Sequence, residues 1–158
     1  RSYTVDMGTA NGAPGVGLLQ VSNSGTSGFT NASARSYFTP SWGNGVPILG
    51  FNIDSGSRRL LLIARGPSLL GVGLSPCPSE TPFALHDSTG TNLGSSHLYD
   101  VSSPGNAAID TLISRAGGLA LTTGDHFLVV NLVSGAYSIP VSPASEGHVM
   151  VEVFDVTP

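Results

Sequence analysis

Residues 2–7 alternate strictly, with Tyr3, Val5 and Met7 on one side and Ser2, Thr4 and Asp6 on the other. Period-2 alternation is the signature of a half-buried strand. The Gly/Ala/Asn/Pro stretch Gly8–Gly15 follows as a linker, Val16–Val21 reads as a second strand, and Ser22–Gly28 is loop material. Further strands are predicted at Ala34–Phe38, Pro47–Ile53, Arg59–Ala64, Pro82–His86 and Leu93–Tyr99, then at Leu119–Thr122, Phe127–Leu132, Ala136–Val141 and His148–Val156. Between them lie Trp42-Gly43-Asn44-Gly45, Asp54-Ser55-Gly56, Asp87-Ser88-Thr89-Gly90, Thr123-Gly124-Asp125 and Ser134-Gly135. Asn, Asp and Gly at these points supply the positive φ that tight reversals need.

One stretch departs from this rhythm. Ala108, Ile109, Leu112, Ile113 and Ala116 fall on one helical face, with Ser103-Pro104 before them and Gly117-Gly118 after. That predicts one short helix near residues 106–116. Many short strands at intervals of roughly ten residues, with turn signals between, predict an all-β protein. The expectation is an antiparallel β-sandwich of jelly-roll or Ig-like type, with about 8–11 strands. Residues 1–30 form an N-terminal strand extension and linker, and residues 31–158 form the sandwich domain.

Composition narrows the function. Only 10 % of the 158 residues are charged, against roughly 25 % in an average soluble domain. All six cations are arginines, and only Arg58 and Arg59 are adjacent. With a net charge of -4, the chain lacks the clustered cations that nucleic acid or an anionic membrane surface requires. Mean hydropathy is +0.19, yet no apolar run reaches the ~18 residues of a membrane span. A single cysteine, Cys77, excludes an intramolecular disulfide and a cysteine metal site. A neutral surface of Ser, Thr, Asn and Gly is easily desolvated in subunit contacts, which points to an assembled, extracellular protein released from a signal peptide.

Candidate chemistry is sparse. No Gly-x-Ser-x-Gly elbow is present, and His86, His97, His126 and His148 are scattered without metal-ligand spacing. The chain is therefore expected not to be an enzyme and to need no cofactor. Asp87 and Asn92, in a loop of oxygen donors, form a calcium candidate that lacks the EF-hand pattern. Asn31-Ala32-Ser33 is a glycosylation-type sequon at Asn31. Arg65 ends an apolar strand, and Glu152 lies within the apolar run Val149–Phe154. Buried charges need partners, so Arg65 and Arg35 are expected to form structural ion pairs with Glu152. Phe38, Trp42 and Tyr99 are candidate aromatics for stacking sugars.

The order of motifs carries a resemblance. From Asn31 the chain runs through Asn31-Ala32-Ser33-Ala34-Arg35, Ile48-Leu49-Gly50-Phe51-Asn52-Ile53 and Leu61-Leu62-Ile63-Ala64-Arg65-Gly66-Pro67-Ser68-Leu69. Pro82-Phe83-Ala84-Leu85-His86-Asp87 with Gly90 comes next, then Leu132-Val133-Ser134-Gly135-Ala136-Tyr137-Ser138, and Val151-Glu152-Val153-Phe154-Asp155 closes the series. This resembles an uncharacterised β-sandwich module of secreted proteins from Verrucomicrobia-like bacteria. Its last third is similar to bacterial pre-peptidase C-terminal domains. Where that module carries Asn-Asp-x-Trp, this chain has His97-Leu98-Tyr99-Asp100. The resemblance covers residues 31–156 and implies an extracellular β-sandwich without implying an activity.

The functional expectation follows from the N-terminal pattern. A strand at Tyr3, Val5 and Met7 tethered by a flexible linker suits addition to a neighbouring subunit's sheet edge. Such contacts are head-to-tail and generate filaments. The chain is thus expected to be a homopolymeric, pilus-like structural subunit at the cell surface. The alternative is a carbohydrate- or surface-binding accessory module, with matrix polysaccharide as partner.

Overall fold

The computed structural model describes residues 31–40 and 46–158. Seven strands are present among them: β1 (Asn31–Phe38), β2 (Ile48–Arg65), β3 (Ala84–Asp87), β4 (Asn92–Ser95), β5 (His97–Leu98), β6 (His126–Pro140) and β7 (Gly147–Asp155). One α-helix, α1 (Ala107–Ala116), stands between β5 and β6. All pairings are antiparallel, in the order β1-β7-β2-β6-β3-β4, and β5 also pairs with β6. The fold is the all-β sandwich that the strand rhythm predicts.

Two pairs of predicted strands are each one long strand. Pro47–Ile53 and Arg59–Ala64 join into β2, of 18 residues. Phe127–Leu132 and Ala136–Val141 join into β6, of 15 residues. Asp54-Ser55-Gly56 therefore makes a bulge instead of a hairpin. The β2–β6 register shifts between Ile53 and Ser57, with Gly56 at φ 76°. Both halves of β2 keep β6 as their partner on the same side, so the chain bends there without reversing.

That bend creates the two layers. The first holds β1, β7, the second half of β2, the first half of β6, and β5. The second holds the first half of β2, the second half of β6, β3 and β4. Their inner faces share one core, in which Leu60, Leu62 and Val151 of the first layer meet Ile53, Leu85 and Ile139 of the second. Successive strand residues point to opposite faces, so Leu61, Ile63 and Phe154 face outward from the first layer. They pack against Ile109 and Ile113 of α1 in a second core.

The helix forms where the apolar spacing places it. A 3₁₀ turn at Pro104–Asn106 leads into it, and Gly117, at φ 73°, ends it by donating its N–H to the Ser114 carbonyl. Leu119–Thr122, predicted as a strand, is irregular. The Ala120 carbonyl and the Thr122 N–H bond to side chains, described below. Leu93–Tyr99 divides into β4 and β5 because its two parts pair with different partners, β3 and β6.

Candidate functional site

Buried polar groups gather where β2 ends. Arg65 lies on the outward face of β2 and is fully buried. Its Nε donates to Glu152 Oε2 on the adjacent strand β7, and its Nη1 donates to the Ala120 carbonyl at 3.2 Å. Ile63 is the direct partner of Glu152 in the ladder, so Arg65 reaches it diagonally. Such a diagonal lies within the span of a long side chain. The segment over this pair passes closely: a Cβ at Gly118 would stand 3.2 Å from both Ile113 Cγ2 and Phe154 Cζ. Arg65 Nη2 is buried there without a hydrogen-bond partner from the protein.

Asp125 organises the turn that follows. It is completely buried. Its Oδ1 accepts the N–H groups of Gly66 (3.0 Å) and Ser68 (3.3 Å), and its Oδ2 accepts that of Thr122 (2.9 Å). The first two open the 3₁₀ turn Pro67–Val72. Thr81, also buried, donates its hydroxyl to the Ala64 carbonyl at 2.7 Å. The Ala64-Arg65-Gly66-Pro67-Ser68 run is therefore held from three directions. Sequence reasoning missed Asp125 and Thr81. The Thr123-Gly124-Asp125 piece carries a turn signal, and no pattern in it shows that its carboxylate faces another loop.

His126 sits beside this cluster at the start of β6, largely buried. Its Nδ1 lies 3.0 Å from Ser96 Oγ, and its Nε2 has no protein partner. Burial pushes its pKa below the ordinary histidine value, and His97 adds a smaller push in the same direction; Glu80 and Asp125 oppose it. The Cys77 thiol is half-buried, and burial foremost, with Asp125 second, raises its pKa.

The other predicted site residues fall as follows. Arg35 is exposed on edge strand β1, opposite Met150, and makes no ion pair among the described residues. This corrects the expectation that it pairs with Glu152: the Arg35 side chain is exposed, whereas Glu152 is buried and already paired with Arg65. Asn31 is exposed at the start of β1. Asp87 Oδ1 accepts from Thr89 N, Thr89 Oγ1 and Thr91 N, and these bonds, the Thr89 hydroxyl first, lower its pKa. Asn92 Oδ1 accepts from Gly94 N at 2.8 Å. Both calcium candidates thus cap their own turns, and no group of three metal-ligating side chains occurs among the described residues.

Two of the three proposed sugar-stacking aromatics are corrected. Phe38 is buried in the inner core, and Tyr99 is buried against Phe127 and α1. Tyr99 donates its hydroxyl to Asp110 Oδ1 at 2.8 Å, and its pKa is pushed up to about 12 by burial first and that carboxylate second. Aromatic rings carry a large hydrophobic area, and here that area closes the core. Tyr99 and Asp110 line a surface hollow of about 400 Å³ with Ile113 and Gly118. Trp42, Tyr3, Val5 and Met7 lie outside the described residues.

Sheet edges are the remaining feature. The N–H of Val141 donates to the Pro47 carbonyl. Antiparallel alternation then turns the N–H and C=O groups of Ile48, Gly50 and Asn52 away from β6. Among the described residues, no strand pairs with β2 on that side along Ile48–Ile53. Leu49 and Phe51 on its inner face are only half-buried, and Ile48 is 60 % exposed.

No family model matches the chain, and no curated protein matches it. Among solved structures it is similar to the pre-peptidase C-terminal domain of a collagenase from Bacillus anthracis. The identity is 11 %, the match covers 78 % of this chain and 88 % of that one, and the TM-score is 0.48.

Proposed function

We propose that the chain is a non-catalytic, extracellular structural subunit that joins copies of itself by strand addition. The segment containing Tyr3, Val5 and Met7 adds to a sheet edge of the next copy, and repetition builds a filament. The observation that carries this reading is the edge of Ile48–Ile53, which has main-chain groups free of any described strand and a half-covered apolar face. Main-chain pairing supplies affinity in strand addition, and pockets for alternate side chains supply specificity. The Arg65, Asp125 and Thr81 cluster directs hydrogen bonds to the chain's own backbone, which suits a structural part. The sugar-binding alternative has less support, since Phe38 and Tyr99 belong to the core.

The test is negative-stain electron microscopy and sedimentation of the full chain beside Val5→Asp. Filaments that disappear in the variant, with its circular dichroism unchanged, support strand addition. Monodisperse particles in both samples overturn it.

A further inference from the structure

Residues 83–98 lie against β6 with few ladder bonds to hold them. β3 meets β6 at His86 with Ser138 and at Asp87 with Tyr137, and β5 meets it at His97 with Phe127 and at Leu98 with His126. A single bridge joins Phe83 to Val141. The β2–β6 ladder, by contrast, runs from Ile48 to Ala64. Parts held by few such bonds open at lower cost than the framework. Ser96 ties the segment together at its corner. Its N–H donates to the Phe83 carbonyl, and its Oγ accepts the Phe83 N–H, both at 2.9 Å. The same Oγ lies 3.0 Å from His126 Nδ1, so one ring joins this corner to β6.

That ring has no place for a second proton. Phe127 and Val129 pack in the second core, so alternation turns His126 to the inner face, where it is buried. A neutral imidazole has one N–H and one lone pair, and a hydroxyl matches either at Nδ1. An imidazolium donates from both nitrogens. Ser96 Oγ would then accept two N–H groups and turn its own hydrogen elsewhere, and Nε2–H would meet no acceptor among the described residues. A buried charge without hydrogen-bond partners is costly. Glu80, before β3, and Asp125, next to the ring in the chain, favour the charged form. Yet Glu80 is exposed, and Asp125 already accepts three backbone N–H groups. His97 of β5 lies against Phe127 and opposes the charge. Arg65 of β2 faces outward to Glu152.

We infer that His126 is an acid-sensitive latch: a proton on its ring frees the Ser96 corner and lets residues 83–98 lift from β6, while β1, β7, β2 and β6 stay paired. Lifting brings water to Nε2 and uncovers Phe83 and Leu85, which otherwise belong to the inner core. The latch is independent of whether copies join by strand addition. Opening takes up one proton, so it becomes more favourable, by up to about tenfold per pH unit, as pH falls below the ordinary histidine range. A two-stranded hairpin without support is marginal in water, so the segment's own amides exchange once it lifts.

The test is amide hydrogen exchange of the full chain, read by NMR from pH 7.5 to 5 in dilute urea and corrected for the intrinsic pH dependence of exchange. Protection at Phe83 and Ser96 is expected to fall by about tenfold or more over that range. At pH 5 it should lie well below that of the β2–β6 ladder and respond weakly to urea, the mark of an opening that exposes little surface. His126→Asn keeps a hydrogen-bonding group near Ser96 and takes up no proton, so the fall should vanish there. Phe83 and Ser96 amides that track the ladder in urea make the opening global and overturn the latch. Protection that stays level down to pH 5 also overturns it, as does a fall that persists in His126→Asn. Should that variant fail to fold, the ring nitrogens of the unaltered chain decide: His126 must take up its proton over the same pH interval in which protection is lost, and a ring that titrates outside that interval overturns the assignment.

Discussion

Arg65 and Glu152 stand 87 positions apart in sequence and form one ion pair on the outward face of the first layer, under the segment that follows α1. Neither side chain has appreciable contact with water. Removing one partner leaves a buried charge without its counterpart, which costs about 3–5 kcal/mol. Glu152→Gln and Arg65→Met are therefore each expected to lower stability by about that amount in urea unfolding. The double replacement Arg65→Met with Glu152→Leu is expected to recover most of the loss. Additive losses in the double variant would show that the two groups act separately.

Asp125 satisfies three backbone N–H groups with one carboxylate. Bonds to a charged group are each worth about 1.5–3 kcal/mol net. Asp125→Ala is expected to cost at least about 3 kcal/mol. Amide exchange at Gly66, Ser68 and Thr122 should accelerate more than exchange in the β2–β6 ladder. Uniform acceleration would place the effect on the whole fold.

The His126 pKa is lowered in the folded chain. Below the ordinary value of 6.5, the unfolded chain takes up a proton that the folded chain resists. Stability is then full above that value and falls as pH drops through it toward the folded-state pKa. The urea midpoint is expected to hold steady from pH 8 to 7 and to decline toward pH 5. His126→Asn should flatten the decline. An unchanged slope in that variant would assign it to other groups.

Gly124 and Gly56 both have positive φ, at 100° and 76°, but their surroundings differ. A Cβ at Gly124 would stand 2.1 Å from the Ser79 carbonyl oxygen, whereas at Gly56 nothing lies within 4 Å. Gly56→Ala is expected to cost about 1–2 kcal/mol, the backbone strain alone. Gly124→Ala must also displace the loop that carries Ser79, so its loss is expected to be several times larger. Equal thermal shifts in the two variants would contradict the close approach.

The strand rhythm and the helix face were legible because period 2 and period 3.6 are local properties of the chain. The corner at Asp54-Ser55-Gly56 was legible as a break but not as a bulge. The distinction depends on whether both flanks keep one partner, and that partner, β6, lies far along the sequence. Arg65 and Glu152 could each be singled out as a charge within an apolar run. Their contact depends on β7 pairing with β2, which no local pattern states. Phe38 and Tyr99 follow the same logic: an aromatic at the end of a predicted strand looks exposed until the layer that covers it is known. Asp125 gave no signal beyond its turn, since its partners belong to another loop.

Because β2 and β6 each pass through both layers, the sandwich is one folded ribbon, not two independent sheets. Its central ladder runs from Ile48 with Pro140 to Ala64 with His126. Closing such distant pairs costs loop entropy before any core contact repays it. The tight β3–β4 hairpin can form early, but it reaches the rest of the sheet only through β6. A ribosome must therefore release almost the entire domain before its framework can close, and the growing chain waits with the apolar Leu60–Ala64 run of β2 still unpaired.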